Sequence, residues 1–364
     1  LAHAGINGEA GNCRLDGFMT EQRAETLLAS RENAEEDDDV PNRRVARIAI
    51  CALMMIHASL LAWGAWQQSP TYDEGGQLPA GLYHWTTGRF ELFRVNPPLV
   101  RMIAVLPVLP VCPEMEWRGT TGRSAYRPEW NYGVTLLETA GDDSRLLFAL
   151  ARWACIPFSL LGIWICYQWS SELFDQRTGI LAATLWCFSP NILANGQLMT
   201  TASLGALAAY TFWHWLKRPS WKAAIKAGLV LGVVESTKMS WLILFGLWPA
   251  WRVWEHRSLR WPTFRVEFVQ MASVVFLGIY LINLGYGFEG TGQALGKDRF
   301  MSRALTGTKY SESWGTIGGN RFRDSWLGNL PVPVPREYLR GLDRQKWEFD
   351  RTRFSYLRGE WRED

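Results

Sequence analysis

The sequence predicts an all-α, multi-pass membrane protein. Three observations predict it. Several apolar runs approach the roughly 20 residues that a helix needs to cross a bilayer. Polar segments of ordinary composition separate those runs, and basic residues gather in alternate connections. The chain has 364 residues, 48% of them hydrophobic, and that average hides these two populations.

Residues 1–42 come first. They are polar and acidic, closing on Glu35, Glu36, Asp37, Asp38 and Asp39. Such a stretch cannot bury enough apolar surface to fold, so it reads as a disordered cytoplasmic tail. A cleavable secretory leader is excluded, because the first apolar run begins too far into the chain and is too long. The sequence opens on Leu1 rather than Met, so the expectation is a piece of a longer protein.

Residues 43–285 read as a membrane domain of about seven passes. The clearest is 45–66, VARIAICALMMIHASLLAWGAW, with His57 as an internal ionisable group. Others cover 146–169, 179–198, 203–216, 223–251 and 266–284, where 223–251 holds two short helices or one long kinked one. Arg43, Arg44 and Arg47 precede the first pass and place the N-terminus in the cytoplasm. Alternation then makes 67–145 and 286–364 external. The internal connections carry Arg177, then Lys217, Arg218 and Lys222, then Arg252, Arg257, Arg260 and Arg265, while the outer turn 199–202 carries no positive charge.

Of the six cysteines, Cys51, Cys155, Cys166 and Cys187 fall in predicted membrane helices and no C-x-x-C pair exists, which argues against a disulfide framework or a zinc site. The formal net charge of +3 points to no partner class. No P-loop, no G-x-G-x-x-G and no Ser/His/Asp hydrolase motif occurs. Nucleic acid is not among the expected partners.

The stretch SPTYDEGG, 69–76, sets Asp73 and Glu74 just after the first pass and follows them with two glycines. The bland reading is a solvated turn. Glu235 and Lys238 lie three residues apart in GVVESTKMSW, so on a helix they share a face and could neutralise each other. Ionisable groups within a span are costly and are a functional hypothesis by default, here with Lys238 meeting an anionic headgroup. FRVNPPLVRMIAVLP, 93–107, suits an interfacial helix behind Pro97 and Pro98, with Arg94 and Arg101 near lipid phosphates. His84 reads as a packing or hydrogen-bonding residue. By the alternation, Asp73 and Glu74, the turn 199–203 and the pair 235/238 all fall on the external side.

These motifs carry a resemblance. SPTYDEGGQLPAGLYHWTTGRFELFRVNPPLVRMIAVLP resembles the first external loop of GT-C glycosyltransferases of the protein O-mannosyltransferase and aminoarabinose-transferase type, family 39-like. Those carry an Asp-Glu pair after the first helix and run through Gly-x-Phe to Pro-Pro-Leu. ARWACIPFSLLGIWICYQWSSELFDQRTGILAATLWCFSPNILANGQLMTTASLGALAAY is similar to their second to fourth helices, with Arg152, Phe188-Ser189-Pro190 and Thr200-Thr201. AGLVLGVVESTKMSWLIL resembles the next hairpin. The likeness covers about residues 45–285, and NLPVPVPREYLRGLDRQ resembles the proline-rich external segment of some bacterial members.

The resemblance implies a GT-C-like helical bundle whose long first external loop carries interfacial helices. It implies transfer of a sugar from a polyprenyl-phosphate donor to a hydroxyl of a protein, lipid or glycan outside the plasma (inner) membrane. No metal or cofactor is called for. Asp73 is then the base candidate with Glu74 in support. Lys238, Arg101, Arg152, Thr200 and Thr201 are carried over to the substrate and its lipid phosphate. One departure stands out: the family usually has an acid after the paired threonines, and this chain has Ala202. A carrier for a lipid-linked substrate and an inactive GT-C relative stay as alternatives.

Overall fold

A computed structural model describes residues 43–117, 127–195, 201–255, 261–307, 318–350, 354–357 and 359–363. The expected tail 1–42 lies outside the described residues. The chain is mostly helical. Helix α1 (Arg43–Gln67) is 25 residues long and strongly apolar. It ends before Pro70, and Thr71 caps α2 (Tyr72–Thr87), which closes on Gly88 in the left-handed region at φ 68°. The short α3 (Leu99–Ala104) starts directly after Pro98. Helix α4 (Glu129–Ala140) runs through a tight 3-10 turn into the 30-residue α5 (Ser144–Leu173).

A bundle follows. Asp175 caps α6 (Gln176–Phe188) by accepting a hydrogen bond from the Thr178 N–H at 2.7 Å. The Ser189–Pro190 step ends it, and α7 (Pro190–Asn195) starts at that proline. Then come α8 (Thr201–Lys217), Ser220-capped α9 (Trp221–Glu235), α10 (Leu244–Glu255) and α11 (Trp261–Gly285). The run 223–251 therefore holds two helices, broken at 236–238 and re-entered through a 3-10 turn, Met239–Ile243.

Side-chain contacts fix the direction of each helix. Arg145 donates to the Trp66 carbonyl, Trp153 to that of Ala62, and His57 pairs with Ser159, so α1 and α5 run antiparallel. Tyr210 and His214 of α8 meet Glu172 at the far end of α5. Gly228 and Gly232 of α9 let α11 approach at Val274 and Leu281, in parallel. Arg252 bonds Glu267, and Trp215 donates to Gln270 at 2.9 Å. One end of the bundle thus gathers Arg177, Lys217, Arg218, Lys222, Arg252 and Arg265. The other end gathers the start of α2, the start of α8 and the 236–238 turn.

Among the described residues, three helical segments are long and apolar enough to cross a membrane: Arg43–Gln67, Glu129–Leu173 and Arg265–Gly285. Their outward faces present large apolar residues, among them Met55, Trp63, Phe268 and Phe276, which a bilayer would cover. At 1.5 Å per residue α6 and α9 extend only about 20 and 22 Å, short of a hydrocarbon core of roughly 30 Å.

After α11 the chain returns over the same end as α2. A one-turn α12 (Arg303–Thr306) leads on to α13 (Arg336–Phe349). Asp343 accepts backbone N–H bonds from Met301 and Ser302 at 2.7 and 3.0 Å, pinning α13 to α12. Asp298 takes Arg336 at 2.9 Å. A two-stranded antiparallel hairpin, β1 (Phe354–Leu357) with β2 (Glu360–Glu363), accompanies this mostly helical fold. One expectation needs correcting. The stretch 93–107 does not lay Arg94 and Arg101 at a lipid surface: its helix has only six residues, Arg94 pairs with Glu337 of α13, and Arg101 is buried.

Candidate functional site

The first turn of α2 separates the two adjacent acids. Glu74 occupies the third helical position of a capping box: the Thr71 N–H and hydroxyl both reach its Oε2, at 2.7 and 3.0 Å. Arg152 of α5 then grips both oxygens, Nε to Oε1 at 2.7 Å and Nη2 to Oε2 at 2.8 Å. Its other donors reach the carbonyls of Ala65 (2.9 Å), Gln68 (2.7 Å) and Ser69 (2.9 Å). That set accounts for all five N–H groups of the guanidinium. Arg152 thereby ties the end of α1, the start of α2 and the body of α5 into one joint.

Asp73 sits one residue earlier, so it is turned about 100° away around the helix. It is exposed, and among the described residues it has no hydrogen-bond or ion-pair partner. Glu74 is held; Asp73 is free.

Of the two glycines after them Gly76 serves packing, whereas a Cβ on Gly75 would stand in open space. A Cβ on Gly76 would come within 2.8 Å of the Trp130 ring, and one on Gly133 of α4 would strike the Gly75 carbonyl. Their absence lets α4 lie directly on α2, with Tyr72 stacked on Trp130 at 4.2 Å between centroids.

Beneath this turn a small pocket of about 40 Å³ is lined by Glu74, Gln77, Arg101 and Arg152 among others. Arg101 is fixed by the carbonyl of Phe93 at 3.1 Å, by that of Asn96, and by His84 Nε2 at 3.1 Å. His84 Nδ1 lies 2.7 Å from the Arg89 carbonyl, so it carries the proton and leaves Nε2 to accept from Arg101. Burial, reinforced by the neighbouring guanidinium, pushes the His84 pKa down to about 3. Burial also lowers Arg101, to about 10. His84 is thus a hydrogen-bonding core residue, and Arg101 organises the loop from within.

The remaining candidates lie at the same end of the bundle. Thr201 opens α8 and, with Ala202, lines a separate pocket beside α5. Thr200 lies outside the described residues. Lys238 is half-buried, and its ammonium has no partner among the described residues. The backbone N–H of Leu99 reaches the Ser236 carbonyl at 3.3 Å, which joins the 236–238 turn to the start of α3.

The spacing argument for a Glu235–Lys238 pair fails here. Helix α9 ends at Glu235, and Lys238 has extended backbone (φ −153°, ψ 132°), so the shared helical face does not exist. Glu235 is fully buried, and among the described residues neither carboxylate oxygen has a hydrogen-bond partner. The Tyr338 hydroxyl of α13 is likewise unpartnered.

Sequence reading missed the charged seam between the two long connecting segments. Arg94 pairs with Glu337, and Arg127 bridges Glu129 at 2.6 Å and Glu348 at 3.1 Å. The partners are 243 and 221 residues apart, and no local pattern announces them. Among the described residues no three His, Cys, Asp or Glu side chains converge as a metal site. The chain matches no known family model, no curated protein and no solved structure.

Proposed function

We propose that the chain is a membrane glycosyltransferase of GT-C type, transferring a sugar from a polyprenyl-phosphate donor to an acceptor hydroxyl on the outer face of the plasma (inner) membrane. The observation that carries this reading is the division of the acid pair: Glu74 is committed to Arg152 and the helix cap, while Asp73 is exposed and unpartnered one residue away.

In this scheme Asp73 takes the proton of the acceptor hydroxyl as that oxygen attacks the anomeric carbon. The bond from that carbon to the phosphate oxygen breaks with inversion, and the polyprenyl phosphate leaves as an anion. Lys238 stabilises the departing phosphate as an unpaired cation at the same end of the bundle. Arg152 acts through Glu74, and Arg101 through the loop, as positioning residues. Thr201, with Thr200 before it, belongs to the substrate side. The acceptor is a protein, a lipid or a glycan, and the chemistry calls for no metal or cofactor.

The gathering of basic residues at the opposite end supports a cytoplasmic N-terminus by the positive-inside rule. On that reading α6 and α9, too short alone, complete about seven passes within the bundle. Ala202 favours a second reading, an inactive relative, because the family's usual acid is missing there and the residue lines a pocket. A carrier for the lipid-linked substrate would use the same end.

The deciding experiment is transfer from a polyprenyl-phosphate sugar by the full chain in detergent. Asp73→Asn should cut turnover roughly 10²–10⁴-fold with donor binding little changed. Near-normal turnover in that variant would reduce the acid pair to a polar turn.

A further inference from the structure

The outer face of α9 carries a pattern that the transfer chemistry does not use. Ala224, Ala227, Gly228 and Leu231 face the bundle and are buried. The opposite side presents Trp221, Lys222, Ile225, Lys226 and Leu229, all exposed, at the spacing of one helical stripe. A Cβ on Gly228 would meet Val274 and Leu277 of α11, and one on Gly232 would meet Leu281. That register sets Lys226 level with the neighbourhood of Ser273, roughly 10 Å inside the apolar segment that begins at Arg265. Lys222 and Lys226 are one turn apart, and neither has a hydrogen-bond or ion-pair partner among the described residues. Two like charges at that spacing repel, and an ionised group at that depth is costly. The only acid of α9, Glu235, stands at its other end.

We propose that this stripe binds an anionic phospholipid of the leaflet at the basic end of the bundle. A lysine lays its apolar stem along the helix and lifts its ammonium toward the surface, so Lys226 reaches the level of lipid phosphates. Lys222, one turn nearer the end, meets the same headgroup, and the phosphate relieves the repulsion between the two. Trp221 sits at the interface, where an amphipathic ring is favoured. Ile225 and Leu229 take the upper part of an acyl chain. A zwitterionic headgroup would bring its own ammonium against two lysines, whereas a headgroup of net negative charge would not. The site lies at the opposite end of the bundle from Asp73 and Lys238. It needs only that α9 and α11 stand in a bilayer, and it does not rest on the transferase reading.

Native mass spectrometry of the full chain in detergent tests this, with phosphatidylglycerol and phosphatidylcholine of identical acyl chains titrated separately. The first phosphatidylglycerol should bind roughly tenfold or more tightly than the first phosphatidylcholine, as two lysines at a membrane surface imply. Lys222→Gln combined with Lys226→Gln should remove most of that preference, and Lys226→Arg, which keeps the charge, should retain it. Arg177→Gln combined with Lys217→Gln removes the same charge from the same end of the bundle but away from the stripe. Lys217 stands over the Trp213 ring at 3.8 Å, on the side of α8 that meets Trp169 of α5. That second pair of changes should leave the preference in place. Equal binding of the two lipids by the parent chain, or binding of neither, overturns the proposal. Equal loss in the two double variants also overturns it, because the basic end would then act as diffuse charge without a site.

Discussion

Arg152 holds Glu74 by two parallel hydrogen bonds, 2.7 and 2.8 Å, from 78 residues away in the chain. The same guanidinium closes three carbonyls at the end of α1, and it is only 2% exposed. Removing one partner of such a buried pair typically costs about 3–5 kcal/mol. Arg152→Met should therefore lower the thermal midpoint of the detergent-solubilised chain sharply. Arg152→Lys should not restore it, because a single ammonium cannot reproduce the planar fork. Asp73→Asn, at an exposed position, should move stability by no more than the roughly 0.3–1 kcal/mol of a helix-dipole contribution. Equal loss from Asp73→Asn and Arg152→Met would dissolve the division between the two acids.

Gly341 marks where α13 meets the rest of the molecule. A Cβ there would run into the Arg94 carbonyl oxygen and come within 2.7 Å of the Met239 methyl. The carbonyl belongs to backbone and cannot swing aside. Gly341→Ala should force α13 outward, with the cost of about 1–3 kcal/mol usual for overpacking. Limited proteolysis reads it: cleavage around 318–350 should accelerate while the bundle stays intact. Unchanged protection would show that α13 does not dock closely over Arg94.

His84 supplies an acid sensitivity with a defined sign. Its folded-state pKa is about 3, held down by burial and by Arg101, against about 6.5 when unfolded. Below pH 6.5 the unfolded chain takes up a proton that the folded chain refuses. Stability is therefore full above about 6.5 and falls toward pH 3, by up to about 1.4 kcal/mol per pH unit from this group. His84→Asn should lower stability at pH 7 yet flatten the slope between pH 6 and 4. A slope identical to the parent would mean that His84 ionises freely in the fold.

The helices were legible because their signals are local. The apolar runs located α1, α5 and α11, and 223–251 divides at 236–238 as one of its two readings had it, whereas the expected span 179–198 is broken at Ser189-Pro190. Even the adjacency of Asp73 and Glu74 implied that both could not face one acceptor, since neighbours on a helix point apart. What sequence could not supply was partnership over distance. Arg101 looked like a lipid-facing cation until Phe93, Asn96 and His84 closed around it. Lys238 looked paired because a period of 3.6 residues was assumed through a point where the helix ends. The seam of Arg94 with Glu337 and Arg127 with Glu348 joins segments more than 200 residues apart, and composition carries no trace of it.

Glu235 and Lys238 make the last test, because spacing and structure disagree on them. If they were an ion pair, each single substitution would strand the other charge, and the double substitution would recover much of the loss. In the structure Glu235 is wholly buried without a hydrogen-bond partner among the described residues, and Lys238 lies on extended backbone past the end of α9. Burying an ionisable group without a hydrogen-bond partner is costly, and an apolar side chain of similar size removes that cost. Glu235→Met should accordingly hold or raise the thermal midpoint. Lys238→Met should leave stability within about 0.5 kcal/mol, as for a surface change away from special features. The double variant should equal the sum of the singles within about 0.5 kcal/mol, the margin expected of uncoupled sites. Donor binding separates the remaining roles: Lys238→Met should weaken it whether residue 235 is Glu or Met, since the phosphate rather than Glu235 is the lysine's proposed partner. A coupling above about 1 kcal/mol, or recovery of donor binding in the double variant, would restore the ion pair and leave Lys238 without a part in the chemistry.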